Sequence, residues 1–154
     1  VIMKKGGHGR TEWVRRFGGD DFEAGYSVEK TGDGGFIIAG KTFSYGRGKS
    51  SMYVVKTDSE GNPVWEKTIG GDGYDGAYCA APYKDGYIVS GATDSKGTGG
   101  YEAYVVILDF EGEVTGEHVF GRGGNAAAYS VYPSKDGGFI AAGFIEVESL
   151  NLQF

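Results

Sequence analysis

The chain has 154 residues, a net charge of −6, 14% aromatics, and 30 glycines against 3 prolines. That length suits one domain with a core of its own, and the acidity argues against nucleic acid or an anionic membrane surface, both of which want clustered Lys and Arg. A single cysteine, Cys79, excludes an internal disulfide framework and any Cys-based metal cluster, and no apolar run is long enough to span a bilayer.

Glycine this dense, set between short apolar runs, signals many tight turns; the aromatic content is too high for a disordered acidic segment. Val1-Ile2-Met3-Lys4 opens the chain and stands as far before Trp13 as Tyr53-Val54-Val55-Lys56 stands before Trp65. A Gly18-Gly19 corner follows, then a strand around Tyr26-Ser27-Val28 and an Asp33-Gly34 turn. Asp-Gly is a strong hairpin signal, because glycine accepts positive φ and the Asp side chain bonds nearby backbone N–H groups. The Gly35–Gly40 run holds a four-residue apolar core between glycines, which suits a strand buried on both faces. Tyr53–Thr57 is a further strand, Asp58-Ser59-Glu60-Gly61-Asn62 a turn, and Val64–Ile69 a strand leading to Gly70-Gly71. The same series then repeats: Tyr78-Cys79-Ala80, Asp85-Gly86, the run to Gly91, Tyr104–Leu108, Gly121, Tyr129-Ser130-Val131, Asp136-Gly137, and the run from Gly138 to Gly143. Cys79 falls where Ser27 and Ser130 fall, which reads as a small residue on a strand. No segment reads as a helix.

The period is about 51 residues, and a period of that size marks a stacked supersecondary unit. Each unit offers four short antiparallel strands, the size of a β-propeller blade. The expected organisation is a half-blade at 1–17, blades at 18–69 and 70–120, a half-blade at 121–145, and a tail at 146–154 that matches nothing. A chain opening in mid-repeat reads as a mature product or a segment of a longer protein. Three units are too few for a ring of typically four to eight blades. Two chains would then close a six-bladed ring, or chains would join head to tail in a filament, since unpaired half-blades expose strand edges. Val1, Ile2 and Met3 at one end, and Phe139 and Ile140 at the other, are the interface residues this implies. The alternative fold is a β-trefoil, also three units of four strands, which would close as a monomer.

These residues resemble the bacterial and archaeal surface propeller repeats with the pattern W-x-x-x-[FI]-G-G, D-G-G-[FY]-[IL], G-[KAT]-T, Y-V-V-K-x-D and G-x-x-x-W. Here they are Trp65…Ile69-Gly70-Gly71, Asp33-Gly34-Gly35-Phe36-Ile37, Gly40-Lys41-Thr42, Tyr53-Val54-Val55-Lys56-Thr57-Asp58 and Gly61…Trp65. Asp58…Gly61…Trp65 is also similar to the quinoprotein-like blade motif, one residue short. The resemblance covers nearly the whole chain up to Ile145; the third unit departs from it with Gly116 where Trp is expected. It implies a secreted or surface-attached protein and names no activity.

Candidate sites are few. The acids at two Gly-Gly corners, Asp20, Asp72 and Asp75 foremost, could give some of the six or more oxygens that calcium needs; otherwise they are solvated turn residues. Trp13 and Trp65 could stack on sugars, but equivalent slots in a repeat favour wedging between neighbouring sheets. Asp33, Asp85 and Asp136 read as structural turn residues. The loops 42–51 and 93–101, carrying Phe43, Tyr45, Arg47, Lys96 and Tyr101, are the ligand-binding candidates for glycan or protein, since function concentrates on loops held by a rigid scaffold. Neither His8 nor His118 has triad or metal-pair spacing. The expectation is a non-enzymatic, self-associating structural or adhesive module without cofactor, with a lectin-like module second and a hydrolase- or quinoprotein-type propeller enzyme third.

Overall fold

A computed structural model describes residues 1–97, 99–121 and 123–146. The described residues form twelve strands and no helix: β1 (Ile2–Lys5), β2 (Thr11–Arg15), β3 (Glu23–Lys30), β4 (Phe36–Thr42), β5 (Ser51–Thr57), β6 (Pro63–Ile69), β7 (Asp75–Tyr83), β8 (Gly86–Thr93), β9 (Glu102–Asp109), β10 (Val114–Phe120), β11 (Ala126–Pro133) and β12 (Phe139–Ile145). Among the described residues every strand pairs antiparallel with a sequence neighbour, and one isolated parallel bridge joins Ser50 to Tyr74. Two four-stranded sheets, β3-β4-β5-β6 and β7-β8-β9-β10, lie between two-stranded sheets β1-β2 and β11-β12. The expected tail beyond Glu146 lies outside the described residues, as does Thr98 of the 93–101 loop.

The sheets stack face to face. β7 lies across β3, β4 and β5, and β11 lies across β7, β8 and β9. Side chains alternate along each strand, so the middle strands bury both faces. Ile37, Ala39, Met52 and Val54 pack on Ala77, Ala80 and Val89 of the next sheet, while Ile38, Tyr53 and Val55 turn back towards Ile2, Phe17 and Phe36. Ile88, Ala103 and Val105 repeat the arrangement against Ala126, Ala128 and Val131.

The turns follow the Asp-Gly expectation twice and depart from it once. Gly34 and Gly137 have φ of 88° and 85°. The Asp33 carboxylate accepts from Gly35 N at 3.1 Å and from the Thr31 hydroxyl; Asp136 accepts from Gly138 N at 3.1 Å and from the Ser134 hydroxyl. Between β7 and β8 one residue fewer is present. Tyr83 pairs with Gly86, so the turn is Lys84-Asp85, and Lys84 takes the positive φ of 49°. Gly86 is a strand residue there. A Cβ on it would stand 2.0 Å from the Leu108 carbonyl oxygen, as one on Gly35 would from that of Thr57.

Candidate functional site

The first strand of each repeat carries a bulge at a tyrosine. Pairing skips Tyr26 between Gly25 and Ser27, Tyr78 between Ala77 and Cys79, and Tyr129 between Ala128 and Ser130. A bulge leaves its extra residue unpaired and re-aims its side chain. The three rings form a ladder across the sheets: Tyr26 to Tyr78 is 5.4 Å between centroids, Tyr78 to Tyr129 is 5.3 Å, and Phe144 continues it 5.8 Å from Tyr129. Burial raises the Tyr78 hydroxyl above the ordinary tyrosine range, with Tyr26 and Tyr129 adding to it.

Tyr78 and Tyr129 line a cleft of about 330 Å³ together with Lys41, Tyr74, Asp75 and Tyr101. Asn125 braces its rim: its side-chain carbonyl accepts from Tyr101 N at 3.0 Å, and its amide donates to Glu146 Oε2 at 2.9 Å. Lys49 Nζ sits 5.0 Å above the Tyr74 ring. Aromatic faces with hydroxyl edges and one ammonium form a surface suited to stacking and hydrogen bonding with a flat polar ligand.

Of the expected loop residues, only Tyr101 lines this cleft. Phe43 packs edge-on to Phe22 at 6.0 Å, under Lys41 Nζ at 5.2 Å. Tyr45 lies 6.1 Å from Tyr53 of its own sheet, and Arg47 is exposed. Lys96 is committed to the Glu117 carboxylate at 3.1 Å and lies over Tyr104. The two loops therefore meet at the cleft only through Ser50 and Lys49 of the first and Tyr101 of the second, and the other expected residues stay away from it. Tyr45 and Lys96 instead lie on their own sheets, where Tyr53 donates to Glu66 and Tyr104 to Glu117. Burial first, and these carboxylates second, hold both phenols well above the usual tyrosine range.

The corner acids are also dispersed. Asp20 and Asp72 are exposed in different loops, between β2 and β3 and between β6 and β7. Asp75 is buried, and its Oδ2 accepts from Gly71 N at 2.9 Å and Ser95 Oγ at 2.7 Å. Glu23 has the equivalent role in the preceding repeat, accepting from Thr42 Oγ1 at 2.9 Å. These carboxylates tie a glycine corner to a strand end. Among the described residues no three His, Cys, Asp or Glu gather as metal ligands. His118 stacks on Phe120 and lies 5.6 Å from Phe139, and the Cys79 thiol, half-buried, lies 3.9 Å from the Val131 carbonyl.

Both tryptophans lie between sheets. Trp13 packs on Phe36 and over Gly61; Trp65 packs on Tyr87 and over Gly112, and donates to the Phe110 carbonyl at 2.8 Å. Sequence reasoning missed two features. The tyrosine ladder was visible only as the first residue of the Tyr-Ser-Val, Tyr-Cys-Ala and Tyr-Ser-Val triplets. Lys56 is the other: it is buried in β5, with Nζ 2.8 Å from Asp33 Oδ2 and 2.7 Å from the Thr57 carbonyl. Its ammonium and the Thr31 hydroxyl hold Asp33 well below the usual carboxylate range.

The expected interface residues lie at the two open edges. Val1, Met3 and Ile140 are exposed, Ile2 packs on the first four-stranded sheet, and Phe139 packs edge-on to Tyr83. No protein-family model matches the chain, and no curated protein matches it.

Proposed function

We propose that the chain is a non-enzymatic structural or adhesive module of the cell exterior. It is built of β-propeller blades and self-associates by strand complementation. The observation that carries this reading is the order of the sheets: two, four, four and two strands, with the two-stranded ones at opposite ends of the chain. β1-β2 corresponds to the last two strands of a four-stranded sheet, and β11-β12 to the first two. Together they sum to one further sheet. The separate stacked sheets favour a propeller over a trefoil, which would need strands of different repeats to close into a barrel. Exposed strand edges template pairing with another chain. Closure by two copies gives a ring; a contact that does not close gives a filament.

Light scattering with negative-stain imaging tests it. A ring of twice 16.3 kDa, or long polymers, is the expected result. A 16.3 kDa monomer at every concentration overturns it.

A second reading rests on the tyrosine ladder: the module binds glycan in the Tyr78–Tyr129 cleft, and assembly multiplies weak sites. A glycan array on which wild type binds and Tyr78→Ala does not supports it. An array with no binder removes it.

A further inference from the structure

We propose that β12 of one copy pairs with β1 of a second copy in one defined antiparallel register, locked by an ion pair between Asp136 and Lys4 of the second copy. This rests on the self-association reading above and specifies the joint. The chain contains its own template twice. In the first four-stranded sheet Phe36, Ile37, Ile38, Ala39 and Gly40 face Thr57, Lys56, Val55, Val54 and Tyr53; in the second, Tyr87 to Gly91 face Leu108 to Tyr104 in the same order. The repeat maps Phe139–Gly143 onto the first strand of these pairs. The β1-β2 register, with Lys4 facing Trp13 as Lys56 faces Trp65, maps Val1–Lys5 onto the second. The joint therefore sets Gly143 opposite Val1, Ala142 opposite Ile2, Ala141 opposite Met3, Ile140 opposite Lys4, and Phe139 opposite Lys5.

Three independent features fit a second copy of this chain as the occupant. Lys4 and Asp136 stand where the buried Lys56 pairs with the solvent-facing Asp33. Asp136 already receives the same two bonds on Oδ1 that Asp33 receives, from a hydroxyl two residues back and a glycine N–H two residues on. Its Oδ2 is the atom to which Lys56 bonds in Asp33. Among the described residues Lys4 meanwhile pairs with the half-exposed Glu12, at 2.6 Å.

Gly138 repeats the glycine of Gly35 and Gly86, where a third strand's carbonyl stands 2.0 Å from a Cβ position. At Gly138 no third strand stands among the described residues, and there a Cβ would meet the Ser134 and Asp136 side chains. The position is built for a strand that the described residues do not place there.

Apolar residues at the two edges lack the cover their counterparts have. Ile140 is 65% exposed where Ile37 and Ile88 are 0% exposed, and Met3 is 53% exposed where Val55 is 2% exposed. Val28 is exposed where its counterparts Ala80 and Val131 are buried against Ile37 and Ile88 respectively. β1 and β3 flank a groove of about 380 Å³ whose lining includes Met3, Trp13, Tyr26, Val28 and Ile38. In this register β12 of the second copy enters that groove and brings Ile140 onto Val28.

The test uses the 154-residue chain. A mixture of ¹⁴N- and ¹⁵N-labelled chains is treated with a carbodiimide, which joins amine to carboxylate without a spacer, and the products are read by mass spectrometry. The expected product links Lys4 to Asp136 in mixed-isotope peptides. In parallel, Gly138→Val, whose Cβ in the isolated chain meets no backbone but the rotatable Ser134 hydroxyl at 3.0 Å, weakens self-association more than about tenfold with an unchanged circular dichroism spectrum. Lys4→Glu or Asp136→Lys alone weakens assembly, and the double variant restores it. Assemblies that form with no Lys4–Asp136 product, and in which Gly138→Val behaves as wild type, overturn the register while leaving self-association standing. A chain that stays monomeric overturns both.

Discussion

Trp65 on β6 donates its indole N–H to the carbonyl of Phe110, 2.8 Å away in the turn of the next sheet. Trp13 packs over the equivalent glycine one repeat earlier, at Gly61. The pair separates packing from hydrogen bonding. Trp65→Phe keeps most of the ring and loses the donor, at a cost of about 1 kcal/mol. Trp65→Ala also removes the wedge on Tyr87 and Gly112, and costs about 3 kcal/mol. Chemical denaturation checks both. The expected order is Trp65→Ala well above Trp65→Phe, with Trp13→Phe, which loses ring contact with Gly61 but no bond to a carbonyl, below Trp65→Phe; equal losses for the two Phe variants would remove the role assigned to the Phe110 carbonyl.

Much of this architecture was legible in the chain, for a physical reason. Strands bounded by glycines and separated by Asp-Gly or Asp-x-x-Gly turns carry local signals, and a repeat triples each of them. The wedge role of Trp13 and Trp65 was legible because identical slots in a repeat meet identical surroundings. What was not legible depends on register. A bulge moves Tyr26, Tyr78 and Tyr129 out of the strand's alternation, and no composition signal marks which residue a bulge expels. The loop residues Phe43, Tyr45 and Lys96 looked free because their partners, Phe22, Tyr53 and Glu117, are brought to them by pairing across strands.

Lys56 and Asp33 predict an asymmetry. Lys56 is buried and Asp33 is largely solvent-facing. Asp33→Ala leaves a buried ammonium with only the Thr57 carbonyl, and costs about 2 kcal/mol. Lys56→Met replaces the charge by apolar volume and leaves Asp33 free to hydrate, so it costs less. The acid response has a fixed sign. The folded-state pKa of Asp33 lies below its unfolded value of about 3.9. Its contribution is present in full above that value and is lost as pH falls through the folded one. Urea midpoints measured between pH 5 and pH 2 should fall for wild type and fall less steeply for Asp33→Asn; parallel curves would show that the pair contributes nothing.

Tyr53, Tyr104 and Tyr78 all have hydroxyl pKa values raised by burial. A raised folded-state value gives stability that is complete below the unfolded pKa of about 10 and declines as pH rises above it. Ultraviolet titration should show a normal phenolate step from exposed tyrosines and a separate late step that coincides with loss of circular dichroism. Tyr104→Phe removes one late proton and leaves Glu117 to Lys96 alone. A single step near pH 10 with intact structure would contradict the buried phenols.

The turn between β7 and β8 offers the sharpest contrast between pattern and structure. As an Asp-Gly signal, residues 85–86 would make Gly86 the flexible residue. In the fold the positive φ belongs to Lys84, and left-handed backbone costs a residue with a Cβ about 1 kcal/mol. Two-residue turns of this kind prefer glycine there. Lys84→Gly relieves that strain, gives back some of it as unfolded-chain entropy, and loses the contact of the ammonium with Tyr83 at 4.9 Å. The net expectation is a gain of about 0.5 kcal/mol. Gly86→Ala goes the other way, because its Cβ would collide with the Leu108 carbonyl at 2.0 Å between two paired strands. Separating β8 from β9 there costs about 2 kcal/mol or more. Thermal unfolding of the two variants decides the matter. If Lys84→Gly were destabilising and Gly86→Ala neutral, Gly86 would be the turn residue and the β7–β8 register would move by one.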